Sequence, residues 1–459
     1  MTGHPAVSPD FHTSVSPPNT IGVTSVSIES ATVDTPSDAG TIDPRTIDPA
    51  AVDLSTVDLS DLRYFEDGPP YALLARLREE ASPHWYAVGD GENGFWSFTK
   101  AADIQAISAD PETFSSARGG VFLAQDGAVP VDALRQIILG MDPPQHTRVR
   151  NIVQAVFTPR LIKQKEASIR AVATELIDEV IERGECDFVD DIAVELPLRV
   201  IADMLGVPQD DRRKLFDWTN QLSRAAATAD PALGFGALIE IGGYISALTA
   251  ARAADPQDDL ISRLIEATVD GEKLTEAEVT YFFALLMFAG NDTTRNTTAG
   301  AMRALIENPD QRDLLLNDPS LIGTAIEEFL RWVSPVIYFT RTAQRDVEVG
   351  GQLVKEGDRV AMWYSAGSRD PERHENPETF DVTRVKPRHQ AFGGGGPHFC
   401  LGNALARLEL RVLFEELLRR MPDMTITGPV TRLTSNFSNE LTSMPVRFTP
   451  GVREPVKES

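Results

Sequence analysis

The stretch Ala391-Phe-Gly-Gly-Gly-Gly-Pro-His-Phe-Cys400-Leu-Gly402, followed by a helical run from Asn403 to Arg420, most constrains what this chain can become. Four consecutive glycines let the backbone turn tightly and approach a flat ligand with no Cβ in the way. Successive amides in such a turn can point at an anion. Cys400 then stands at the entrance to a helix with apolar residues at Leu401, Leu405, Leu408 and Val412, a 3.6-residue period. A thiolate there is stabilised by the helix N-terminus and by loop amides, which suits a metal. A glycine turn holding a buried cysteine is the plain alternative. A phosphate loop is a third, but the Walker Lys-Ser/Thr spacing and a βαβ context are both missing.

Composition narrows the classes. A chain of 459 residues that is 42% hydrophobic can bury a large core. The longest apolar run, Val279 to Gly290, is too short to span a bilayer, and no charged-then-apolar leader opens the chain. Two cysteines, Cys186 and Cys400, make no disulfide framework, so a cytoplasmic protein is expected. A formal charge of −25 argues against nucleic acid or anionic membrane as partners.

Residues 1 to 60 are rich in Ser, Thr, Pro and Asp, with eight acids against Arg45. Such a segment cannot bury enough apolar surface to fold alone and reads as a disordered tail. Order is expected from 61 to 452, with a flexible end at 453–459. Tyr71 to Glu80 reads as a helix, and Trp85 to Thr99 as two strands around the Gly89–Gly94 turn. Val121-Phe122-Leu123 is an apolar triple in a loop. Pro143 and Pro144 start a helix that puts His146 and Arg150 on one face, where they can grip a carboxylate. Long amphipathic helices fill Pro159 to Leu264, with Cys186 as an inert cysteine among their loops. Thr275-Glu-Ala-Glu opens an apolar helix, Val279 to Leu305, interrupted by Ala289-Gly-Asn-Asp292-Thr293. A glycine there costs about 1 kcal/mol against alanine, and a buried carboxylate needs partners. Glu328 and Arg331 share a helix face. The strand-like Val336-Ile337-Tyr338-Phe339 precedes Arg341.

Phe392, Gly393, Gly395, His398, Cys400 and Gly402 resemble the haem-binding signature of the cytochrome P450 superfamily, with one extra residue between Phe392 and Cys400. Asp292-Thr293 resembles the acid–alcohol pair of that family's distal helix. Glu328-x-x-Arg331 with Arg384 resembles its scaffold trio, and Ser435 to Pro445 its final hairpin, with Glu440 where glycine is usual. The resemblance covers roughly residues 60 to 450. It implies one mainly α-helical domain with a small β part, holding haem b through the Cys400 thiolate, which favours O–O cleavage. His146, Arg150, Arg341 and His398 are implied to hold the haem, together with Phe392 and Gly402. Asp292 and Thr293 are implied to manage protons, and Val121, Phe122, Ala289, Val336, Ile337 and Glu440 to line the substrate pocket. The implied reaction inserts one oxygen atom of dioxygen into a C–H bond of an apolar substrate.

No flavin or nicotinamide segment is evident, so electrons from NAD(P)H are expected to arrive through a separate ferredoxin and its reductase, docked on a basic patch at Arg148, Arg407 and Arg411. A monomer is expected. The Thr-Arg-Asn run after Asp292, the extra glycine and Met362-Trp-Tyr-Ser resemble bacterial members acting on sterols, branched lipids, terpenoids or alkyl chains. They point to hydroxylation of a long apolar substrate at a terminal methyl. A peroxide-driven haem-thiolate enzyme, which has no need of Asp292-Thr293, and a non-catalytic haem sensor or carrier are the other classes compatible with Cys400.

Overall fold

The longest element starts at Thr275. Its hydroxyl accepts from the Glu278 amide at 3.2 Å, while the Glu278 carboxylate accepts from the Thr275 amide at 2.8 Å. This reciprocal cap satisfies two donors that a helix N-terminus otherwise leaves orphaned. It launches the 32-residue helix Glu276–Glu307, about 48 Å long at 1.5 Å per residue. From Asn291 to Thr298 almost every side chain is buried although most are polar, so this stretch needs partners inside the molecule.

The computed structural model describes residues 51–88, 93–123, 131–228 and 231–454, all within one compact unit. Helices dominate, as expected, and the β part is small. Its main sheet runs in the order His84–Val88, Asn93–Phe98, Arg359–Trp363, Tyr338–Ala343, Phe114–Ser115. The middle strand pairs parallel with Asn93–Phe98 and antiparallel with Tyr338–Ala343, and all five of its residues are buried. A strand covered on both faces has that pattern. Trp363 packs with Phe65 and Leu74 on one side, Met362 with Phe98 and Ile104 on the other, the alternation that a pleat imposes. Among the described residues, no helix is long and apolar enough to cross a membrane.

Both expected boundaries of the ordered part shift outward. Val57 and Leu59 are fully buried against Phe65, Leu73 and Trp363, so the folded chain begins before residue 60; two spaced apolar residues in an acidic, proline-rich stretch were enough. At the other end Glu454 accepts from Arg419 at 2.6 Å, and its amide donates to Asp178 at 3.1 Å. Residues 1–50 and 455–459, and the turn at 89–92, lie outside the described residues.

Glu328, on the helix Ile322–Val333, is fully buried. Arg331 grips it with Nε and Nη2, each at 2.7 Å. Arg384 donates to it at 3.1 Å and the Asp381 amide at 2.9 Å. Arg331 also donates to the Pro377 and Thr379 carbonyls, and Arg384 to those of Glu375 and Asn376. The coil that leads towards the glycine turn is thus tied to the helix by one carboxylate. Removing one partner strands the remaining buried charges. Glu328→Ala is therefore expected to cost about 3–5 kcal/mol, read as a lowered urea midpoint with an unchanged slope.

Candidate cofactor pocket and active site

The four glycines divide the work between two sides. A Cβ at Gly394 would run into Ser108 Oγ and the Ile104 carbonyl, and one at Gly396 into the Ser108 carbonyl. Both therefore lie against the backbone of the helix Ala101–Ala109. Gly393 and Gly395 have φ of +93° and +99°, and a Cβ on either would meet nothing within 4 Å. The chain turns through left-handed conformations that suit glycine and leaves a bare backbone wall. The Cys400 amide closes the turn on the Phe392 carbonyl at 3.1 Å. Phe392 lines the cavity with Cys400, and the Arg407 guanidinium lies 4.5 Å from its ring centroid.

That wall borders a cavity whose empty space, counted out into its open mouth, is about 1840 Å³. Cys400, Leu401 and Gly402 line it from below, and Ala289, Asp292 and Thr293 from the long helix above. Burial pushes the Cys400 thiol up, although the Gly402 and Asn403 amides and Arg150 and Arg407 pull the other way. The expected stabilisation by the helix end is present but outweighed. A metal cation bound there would supply the missing positive charge in place of the thiol proton.

One side of the cavity is cationic. His146, Arg150, Arg341 and His398 all line it. The His146 and His398 ring centroids are 4.2 Å apart, and among the described residues neither ring nitrogen of His146 has a partner. Burial, then Arg150 and Arg341, lower His146 to about 4. Burial, Arg341 and His146 likewise hold His398 well below its ordinary value. Arg341 is 4% exposed and donates to the Thr340 carbonyl at 2.7 Å. Among the described residues, no carboxylate lies within ion-pair distance of Arg341 or Arg150, and Asp142 is taken by Ser115 and Ser116. A buried donor set without an acid fits an anionic guest. With a thiol below and a backbone wall free of side chains, the residues present fit a haem and its two propionates.

The upper wall is built from a close helix crossing. A Cβ at Gly290 would stand 2.9 Å from Ile201 Cδ1, so glycine lets the helix Glu195–Leu205 approach. Thr293 Oγ1 donates to the Ala289 carbonyl at 2.8 Å, an i−4 back-bond that holds its hydroxyl at the cavity wall. Asp292 Oδ1 lies 3.3 Å from Arg295 Nη2. Phe122, Phe339 and Phe437 roof the space, with Phe437 centroids 4.9 Å and 5.5 Å from the other two.

Several expectations need correction. Val121 is fully buried, and its carbonyl accepts from the Thr340 amide at 3.0 Å; it anchors the loop, and Phe122 alone of the triple lines the cavity. Val336 lines the cavity, whereas Ile337 turns into the core beside Trp363, because neighbours in extended chain face opposite ways. Glu440 is off the cavity wall, paired to Arg295 at 2.7 Å. The expected basic patch is neutralised: Arg148 pairs with Glu278, Arg407 with Glu327 and Arg411 with Glu166. The sequence reading also passed over Phe339, Phe437 and Glu409. The last lines the cavity from the cysteine helix, and burial pushes it up to about 8.

A cysteine below, a cationic side for propionates and an acid–alcohol pair above define a haem-thiolate protein. A family model described as Cytochrome P450 matches residues 244–422. The steroid C26-monooxygenase of Mycolicibacterium smegmatis is 39% identical over 399 residues, 83% of this chain and 91% of that one. The methyl-branched lipid omega-hydroxylase of Mycobacterium tuberculosis is 38% identical over 84% of this chain and 93% of its own. A cytochrome P450 of Mycobacterium marinum in complex with pseudoionone superposes with a TM-score of 0.79 at 39% identity, covering 86% and 98% of the two chains. This chain belongs to the cytochrome P450 family. It is a haem b monooxygenase, and members of the family typically draw on NAD(P)H indirectly, through a redox partner.

The glycine geometry separates two substitutions. Gly396→Ala is expected to lose folded, haem-loaded protein, because φ of +70° and the Ser108 backbone both oppose it. Gly402→Ala, at φ of −80° with no atom near its Cβ, is expected to keep the apoprotein's thermal midpoint and weaken haem retention. Thermal melts and absorbance after desalting separate the two.

Proposed function

We propose that this monooxygenase hydroxylates a long apolar molecule, a sterol, terpenoid or branched lipid, at or near a terminal methyl. The observation that carries the reading is the cavity roof above Cys400. Phe122, Leu286, Val336, Phe339 and Phe437 come from four separate segments of the chain and leave a mostly apolar chamber, which selects by shape and dryness. The relatives named for steroid C26 and for the omega position of a methyl-branched lipid support the same class.

Cys400 would ligate the haem iron as a thiolate, and Phe392 and Gly402 would help to hold the haem. His146, Arg150, Arg341 and His398 hold the propionates, the two arginines supplying charge and the two neutral imidazoles hydrogen bonds. When bound, the haem supplies dioxygen activation. The chain's share is to place a C–H bond, exclude water and move protons. Thr293, fixed by its bond to Ala289, presents a hydroxyl oxygen at the cavity wall, and Asp292 hands protons to it through water. Glu328, Arg331 and Arg384 hold the coil before the ligand loop. Electrons come from a ferredoxin and its reductase, and the enzyme works as a cytoplasmic monomer.

The dithionite-reduced protein with carbon monoxide is expected to give a strongly red-shifted Soret band that is lost in Cys400→Ser. Steroids and methyl-branched fatty acids are expected to shift the ferric spin state and yield a terminally hydroxylated product by mass spectrometry. Binding confined to small aromatic compounds refutes the substrate class. Asp292→Asn is expected to slow turnover by on the order of 10²-fold with the substrate dissociation constant unaltered. An unaltered rate removes Asp292 from proton handling.

A further inference from the structure

Arg295 stands one turn beyond Asp292 on the long helix, 4% exposed, and its charge is shared. Its Nη2 lies 3.3 Å from Asp292 Oδ1 and 2.7 Å from Glu440 Oε1. Glu440 is 7% exposed, at the foot of the C-terminal strand Leu441–Ser443. Ser438, hydrogen-bonded to Glu440, also accepts from Asn296 Nδ2 at 2.9 Å. Hairpin and helix are thus joined by polar contacts beside the acid–alcohol pair. The helical turn Val189–Ala193 also brings Asp190, exposed to solvent, within electrostatic reach of Arg295, with Asp187, Asp191 and Arg213 acting on it as well.

Here one guanidinium faces two buried carboxylates. It offsets the charge of one; the other, if ionised, bears both desolvation and repulsion. The Glu440–Arg295 contact is the shorter, so an ionised Glu440 draws the guanidinium from Asp292, and a protonated Glu440 yields it. We propose that Glu440 is a positioning residue for Asp292. Its protonation state decides how firmly Arg295 holds the Asp292 carboxylate, and so how readily that carboxylate turns to hand a proton towards Thr293. Burial, then the charge of Asp292, raise Glu440 to about 7 against the pull of Arg295 and Ser438, which places the change of state near neutral pH.

The inference rests on Asp292 handling protons, and the experiment keeps the two ideas apart. Turnover with a saturating substrate is measured from pH 6 to 8.5 in wild type, Glu440→Gln, Glu440→Asp and Asp292→Asn, with haem loading checked for each. Wild-type kcat is expected to rise through pH 7 as Glu440 ionises and draws Arg295 away. In E440Q the guanidinium stays with Asp292, so kcat is expected to be flat and several-fold lower at pH 8. KM and the spin-shift dissociation constant should remain within about twofold, and E440D should restore the rise.

A second readout needs no turnover. A carboxyl raised from 4.5 to about 7 in the folded state stays neutral there while the unfolded chain ionises. Wild type therefore loses stability relative to E440Q as pH rises from about 4.5 to 7, with no further loss above. The thermal midpoint of wild type minus that of E440Q is expected to fall by a few degrees between pH 5 and 8. A rise in kcat through pH 7 that survives in E440Q, or a midpoint difference independent of pH, overturns the proposal. An Asp292→Asn variant with wild-type turnover overturns instead the reading of Asp292 on which it stands.

Discussion

The seating of the glycine turn on the helix Ala101–Ala109 is the contact on which the site depends. Gly394 and Gly396 approach the Ile104 and Ser108 backbone so closely that a methyl group has no place there. Their two neighbours, held in left-handed conformations, turn bare backbone to the cavity. The position of Cys400 follows from this, since its amide is bonded back to Phe392 at the start of the turn. The Glu328 cluster works at one remove by anchoring the coil on the approach to the turn. A thiol placed by side-chain packing would have many nearby alternatives; one placed by backbone against backbone has few.

Charge is distributed unevenly around the cavity. The side with His146, Arg150, Arg341 and His398 gathers donors with no acid in ion-pair reach among the described residues, and burial keeps both imidazoles neutral. Such a set is costly alone and becomes favourable once an anion enters. Above, Asp292 alone of the acids on the long helix lines the cavity, and behind it Arg295 lies between Asp292 and Glu440. The first arrangement suits an anion that stays bound; the second, on the proposed reading, suits the movement of protons.

Much of this was legible in the sequence because it depends on local order. The glycine turn, Cys400, Asp292-Thr293 and Glu328-x-x-Arg331 are runs of neighbours; the first three line one cavity and the last ties down the coil before the turn. Parity within extended chain was harder: Val121 and Ile337 looked like pocket residues, yet each sits one place from the residue that faces the cavity. Pairing across elements was not legible at all. Arg148, Arg407 and Arg411 read as a free basic patch until Glu278, Glu327 and Glu166 arrive from other elements. Glu440 looked like a pocket carboxylate because its partner, Arg295, is 145 positions away in the numbering. Composition likewise overruled Val57 and Leu59, two residues that weigh little in an average and much in a core.

The cavity roof joins Phe122, near the first sheet, to Phe437 in the C-terminal hairpin, while the floor comes from 392–402 between them in the chain. During synthesis, therefore, Phe122 is made before the ligand loop and Phe437 after it, so the roof is complete only once the hairpin, the last of these segments, has been made.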